Sequence, residues 1–111
     1  RRFDVVLDKA AMDALVTVEG DPWDPDPAVI EQAKEMCTGV SHVLKDDGIF
    51  LQISFQQPHF RRKYLLGIEE RKEGCMYYSG SYLWDLKVES IVKGGEGCFG
   101  DFLYVMQKQG L

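Results

Sequence analysis

The sequence is poor in the residues that staple or metallate a small fold. Its three cysteines, Cys37, Cys75 and Cys98, are widely spaced and form no C-x-x-C, so neither a disulfide framework nor a zinc-ribbon spacing is present. An odd count of this kind reads as reduced, intracellular thiols. His42 and His59 are isolated and H-E-x-x-H is missing; a metal-dependent hydrolase has no ligand set here, and no metal is expected. No run approaches the roughly 18 apolar residues of a membrane span, and the first residues lack the apolar core of a signal peptide. The expectation is a soluble, cytoplasmic chain with no membrane partner. Positive charge is short as well. Thirteen Lys and Arg face eighteen Asp and Glu, a net charge of −5 and a pI near 4.9. That balance disfavours non-specific attraction to nucleic acid, so a basic or neutral partner is expected.

What is present is globular: 111 residues, 45% apolar, 12% aromatic and 28% charged, well away from the composition of a disordered chain. The length suits one domain or part of one, and a domain of this size buries roughly 65% of its unfolded surface. The chain opens Arg1, Arg2, Phe3, Asp4 without a methionine and runs directly into a strand, which predicts an internal segment of something longer.

Phe3 to Asp8 (FDVVLD) holds Val5, Val6 and Leu7 in a row, the pattern of a parallel strand covered on both faces. Lys9 to Val16 reads as two turns of helix. Glu19 to Pro27 (EGDPWDPDP) collects four acids and three of the four prolines, with no base; it is loop, because prolines so close together break both helix and ladder. Helical periodicity starts at Pro27, with Val29, Ala33, Met36, Cys37, Val40, Val43 and Leu44 on one stripe, Asp26 at N-cap and Pro27 at N1. Lys45 and Gly48 are its stop signals. Ile49 to Phe55 is a strand, and strand, helix and strand together predict a parallel crossover unit. A further helix is expected near Pro58. Lys63 to Leu83 carries no readable period. Trp84 to Val92 and Phe99 to Lys108 are the last two strands, joined as an antiparallel hairpin through Gly94 to Cys98.

Gly95, Gly97 and Gly100 satisfy G-x-G-x-x-G, but the dinucleotide mechanism needs a helix after the glycines and an acid about 20 residues on. A strand follows instead, and a hairpin with glycines at positive φ is the better reading. Asp8, Lys9 and Asp13 cluster at the carboxyl end of the first strand, the edge where open α/β sheets bind ligands. Their bland alternative is a capping Asp8 and a surface Lys9–Asp13 pair at i, i+4. The acidic proline loop is either a solvated connector or an electronegative rim for a cationic substrate such as a lysine side chain. His59, Arg61 and Arg62 belong to a strand-to-helix connection that reaches the same edge, with solvated surface as the commoner alternative.

FDVVLDKAAMDAL, from Phe3 to Leu15, resembles the fourth-strand segment of the class I S-adenosylmethionine-dependent methyltransferases, in the subgroup that reads F-D-V-V-[IL]-[DE]-K-G-x-x-D-A-L. This subgroup contains the lysine methyltransferases of translation elongation factor 1-alpha. DPW at Asp21 to Trp23, SHVLKDDGIFLQIS at Ser41 to Ser54, PHFR at Pro58 to Arg61 and FLYVMQK at Phe102 to Lys108 extend the similarity in register. The resemblance implies an α/β fold, the carboxyl-terminal half of a seven-stranded Rossmann-like methyltransferase sheet of order 3-2-1-4-5-7-6. Residues 1–111 would then hold strands 4, 5, 7 and 6, the last strand antiparallel, with the Gly-rich cofactor turn and strands one to three absent.

The same resemblance implies S-adenosylmethionine as cofactor, a protein lysine of the elongation factor 1-alpha type as substrate, and in-line attack of its ε-amine on the sulfonium methyl. Lys9 and Asp8 are implied as cofactor-binding, and Asp8 and Asp13 as the catalytic segment. Asp21, Trp23, Asp24, His59 and Arg61 are candidates for the substrate rim. Ala10 departs from the subgroup's usual glycine. Competing readings are a catalytically inactive fragment or partner-binding module using an exposed sheet edge, and a small-molecule methyltransferase on the same fold.

Overall fold

A computed structural model describes residues 3–9, 11–16, 25–56, 58–67, 69–71, 77–91 and 101–109. Along the chain these form β1 (Phe3–Lys9), α1 (Ala11–Val16), α2 (Pro27–Val43), β2 (Leu44–Ser54), α3 (Pro58–Leu66), β3 (Glu69–Arg71), β4 (Tyr77–Ser79), β5 (Trp84–Ile91) and β6 (Asp101–Lys108). The strands make one sheet of order β1-β2-β6-β5-β4-β3. β1 and β2 are parallel, as expected of the crossover unit, and β6 runs antiparallel to both β2 and β5. The molecule is thus mixed α/β. The expected hairpin pairing is present, from Trp84↔Lys108 to Ile91↔Asp101; its connecting loop, Gly94 to Cys98, and the glycine motif lie outside the described residues.

Helix α2 begins as its sequence dictates. The Asp26 carboxylate accepts from Ala28 N at 2.8 Å, with Pro at N1 where no amide donor is needed. Its stripe points inward: Ala33 and Cys37 are fully buried, and Val29, Met36 and Val40 pack against them. The helix passes straight into β2, which starts at Leu44 rather than at the expected Ile49. The cause is a bulge: between Phe3↔Leu44 and Val5↔Ile49 the register jumps, and Asp47 takes φ 63. Gly48 closes this turn, because a Cβ there would lie 2.7 Å from the Lys45 carbonyl oxygen. A residue read as a helix stop is therefore a strand-bulge glycine.

Phe50, Gln52 and Ser54 of β2, Trp84 and Leu86 of β5, and Tyr104 and Met106 of β6 face the helices and are buried. Trp84 is the centre of this layer. Its ring lies 5.7 Å from Phe50 and 5.1 Å from Tyr82, and its indole N–H donates to the Leu65 carbonyl at 2.8 Å. Two more carbonyls of the last turn of α3 are met by side chains: Cys37 Sγ donates to Tyr64 O at 3.3 Å and Ser79 Oγ to Leu66 O at 2.6 Å. Gly67 then leaves the helix at φ +67, as helix ends commonly require. At the end of α2 the Lys108 ammonium, itself buried, donates to the carbonyls of Ser41 and Leu44, a cation placed at the negative end of the helix dipole.

β1 was read as covered on both faces, yet Val5 and Leu7 are 54% and 61% exposed. All three helices contribute to a single core on one side of the sheet, and among the described residues β1 pairs only with β2, so it is an edge strand.

Candidate functional site

Five of the seven buried polar side chains among the described residues, Asp8, Asp13, Gln52, Ser54 and Arg61, gather at the carboxyl ends of the two parallel strands. Asp8, at the end of β1, is buried and caps α1: one carboxylate oxygen accepts from Ala11 N at 2.7 Å and the other from Met12 N at 3.2 Å. Gln52, the register partner of Asp8 on β2, donates from Nε2 to the second oxygen at 3.0 Å. Asp8 is therefore held from its own helix and from the neighbouring strand. The capping reading of Asp8 describes its geometry.

Asp13 lies one turn further along α1 and also points inward. Its Oδ1 accepts from Ser54 Oγ at 2.6 Å and from the Arg61 guanidinium, which forms a close ion pair with it through Nη2. Arg61 was expected at an exposed rim; it is 1% exposed. The reason is local: PHFRRKYLL places Arg61 on the same side of α3 as Tyr64 and Leu65, which enter the core. Its guanidinium also lies 5.9 Å from the ring centre of Tyr104, a favourable cation–π arrangement. The Tyr104 hydroxyl donates to the Gln56 carbonyl, and burial raises its pKa above the ordinary phenol value.

The remaining candidates separate. Lys9 is exposed beside the cluster, and His59 is exposed on α3 with its ring 4.0 Å from Phe60. Asp21, Trp23, Asp24 and Ala10 lie outside the described residues. The structure thus brings together Asp8, Asp13 and Arg61, and adds Gln52, Ser54 and Tyr104, which sequence reasoning passed over as strand residues. A signal for two of them was available: in IFLQIS, Gln52 and Ser54 share a face with Phe50, and a buried strand glutamine demands hydrogen-bond partners.

Chemically, the cluster is an anchoring device. Both carboxylates already accept two or more hydrogen bonds, so neither is placed as a nucleophile. The one described thiol, Cys37, is buried and its pKa is pushed up to about 12, which leaves it inert. Among the described residues no three His, Cys, Asp or Glu converge on a metal position, and no helix is long and apolar enough to cross a membrane.

A mixed α/β sheet with its polar groups drawn to the carboxyl ends of parallel strands is consistent with a methyltransferase-like fold. No family model matches the chain. Over 106 residues, 96% of its length, the chain is 32% identical to the Bos taurus protein named EEF1A lysine methyltransferase 4, and 28% identical to the Mus musculus protein of the same name. The resemblance read from the motifs is therefore shown across nearly the whole sequence. The chain spans 35% of the length of each of these relatives.

Proposed function

We propose that this chain contributes to a methyltransferase that modifies a protein lysine, with elongation factor 1-alpha as the kind of substrate. The observation that carries this reading is the similarity over 96% of the chain to two proteins so named. It is supported by the strand order β1-β2-β6-β5, with β6 antiparallel to its neighbours. On this reading those four strands correspond to family strands four, five, seven and six.

S-adenosylmethionine, when bound, supplies an activated sulfonium methyl, so no strong base or covalent intermediate is demanded of the protein. The residues present fit one wall of such a site. Lys9 is exposed at the carboxyl end of β1, and on the opposite, helix-covered face of the same strand end the side-chain Oε1 of Gln52 is buried with no partner among the described residues. Lys9 would contact the cofactor. Asp8 and Asp13 would hold the turn that presents it, since their oxygens are occupied by backbone amides, Gln52, Ser54 and Arg61. The acidic stretch with Asp21, Trp23, Asp24 and Asp26 would face the cationic substrate, and His59 at the start of α3 would flank it.

The test is methyl transfer from labelled S-adenosylmethionine to elongation factor 1-alpha by the intact protein. Incorporation at lysine supports the reading, and label on a small molecule alone would favour the small-molecule alternative. Neutralising Asp21, Asp24 and Asp26 together should raise KM for the protein substrate; an unchanged KM counts against the acidic rim. A second reading, a partner-binding module, draws on the exposure of Val5 and Leu7 on edge strand β1. Calorimetric titration with S-adenosylmethionine separates the two, since a module without catalytic function has no reason to bind it.

A further inference from the structure

We infer that Arg61 is a positioning residue: its buried guanidinium grips Asp13 and thereby fixes the turn from Asp8 to Asp13, Lys9 included, at the carboxyl end of β1. Its consequence for cofactor binding rests on the function proposed above; its structural part does not.

Helix α1 is too short to hold itself. It has six residues, of which Met12 is fully buried in the apolar core and Val16 packs at its edge, whereas isolated helices below about 12–15 residues are marginal even with good helix formers. Polar side chains fix it instead. At its start, the Asp8 carboxylate takes the amides of Ala11 and Met12 and is itself held by Gln52. At its middle, Asp13 is held by Ser54 from β2 and by Arg61 from α3. Arg61 is the cationic member of this set and the one that ties α1 to a different helix, across 48 residues of sequence.

The guanidinium is committed to this task at some cost. Its Nε and Nη1 are buried without a hydrogen-bond partner among the described residues, so Asp13 is its main compensation there. Such a pair is sensitive to its geometry, because losing either partner strands a charge in a dry site. Lysine would keep the charge but not the planar fork that reaches Asp13 while lying over Tyr104. Lys9, the last residue of β1 and the register partner of Ile53, lies one residue ahead of α1, so slack in α1 reaches it through that short connection.

The experiment compares wild type with Arg61→Lys in the intact protein by two readouts. Hydrogen exchange at the Ala11 and Met12 amides should quicken about tenfold in the variant, the size expected for one charge-assisted hydrogen bond, while the amides of Tyr104 and Met106 keep wild-type protection. The Kd for S-adenosylmethionine should rise by about the same factor, with KM for the protein substrate unchanged. Wild-type exchange at Ala11 and Met12 in a folded Arg61→Lys protein would overturn the inference. So would equal loss of protection throughout the sheet, because Arg61 would then be a stability residue only. Asp13→Asn, which keeps the side chain's size, should release the same two amides and provides the decision if the lysine variant does not fold. Should the wild-type protein bind no S-adenosylmethionine, the functional proposal fails, and the exchange pattern still decides the role of Arg61.

Discussion

In β1 and β2 both faces of the sheet carry apolar residues, and the two faces meet different fates. On one, Phe50, Trp84, Leu86, Tyr104 and Met106 disappear beneath three helices. On the other, Val5 and Leu7 stand more than half exposed, and their register partners Ile49 and Leu51 are only half-buried. A sheet evolved to face water on one side alternates apolar with polar residues; the β1–β2 pair carries aliphatics on both. In that pair what differs is the covering, since both faces carry apolar residues; on β5, by contrast, the uncovered face carries Asp85, Lys87 and Glu89. The lesson is that a burial pattern in sequence reports what a strand is suited to, and the described structure reports what covers it.

This contrast is open to disruption, most severely at the covered face. Trp84→Ala removes a fully buried ring and its hydrogen bond to the Leu65 carbonyl, and should cost about 3–5 kcal/mol by denaturant titration. Asp13→Ala should approach the same scale, about 3–5 kcal/mol, because it leaves the Arg61 guanidinium buried without its carboxylate. Gly48→Ala is smaller, about 1–3 kcal/mol, since a Cβ 2.7 Å from a backbone oxygen forces the bulge to shift.

Burial raises the thiol of Cys37 from 9.0 to about 12, so the folded state holds that proton longer than the unfolded one. Stability contributed by the neutral thiol is therefore full below pH 9 and is lost as pH rises from there toward about 12. The slope for one such group cannot exceed about 1.4 kcal/mol per pH unit. Stability curves at pH 8 and pH 10.5 check the sign; Cys37→Ser should flatten the difference. The smallest effect belongs to the bare face. Leu7→Thr in the 111-residue chain should change stability by no more than about 0.5 kcal/mol, as for other exposed sites. A loss as large as that of Trp84→Ala would show that this face is covered after all.

Legibility in the sequence followed the range of the interactions involved. Helix α2 was readable because its cap, its first-turn proline and its apolar stripe are all local, and the structure returns it as Pro27–Val43. The parallel pair and the terminal hairpin were readable from runs of β-branched and aromatic residues. β3 and β4 were not, because three residues each, including the charged Glu69–Arg71, give no period to detect. The burial of two cations was equally hidden. Arg61 finds Asp13 48 residues away and Lys108 finds the Leu44 carbonyl 64 residues away, and nothing in the neighbourhood of either residue marks it for the interior. Gln52 is the intermediate case: its partner is distant, yet its place on the buried face of β2 was visible in the alternation.

The central claim is that the carboxyl end of β1 presents Lys9 to a methyl-donor cofactor and that the buried carboxylates serve to hold it there. Its most direct test is the Kd for S-adenosylmethionine of the intact protein against its Lys9→Ala variant. The account predicts measurable binding in the wild type and a loss of at least tenfold in Lys9→Ala, with the thermal midpoint unchanged because the side chain is exposed. Equal affinity in both proteins, or no binding in either, would contradict it.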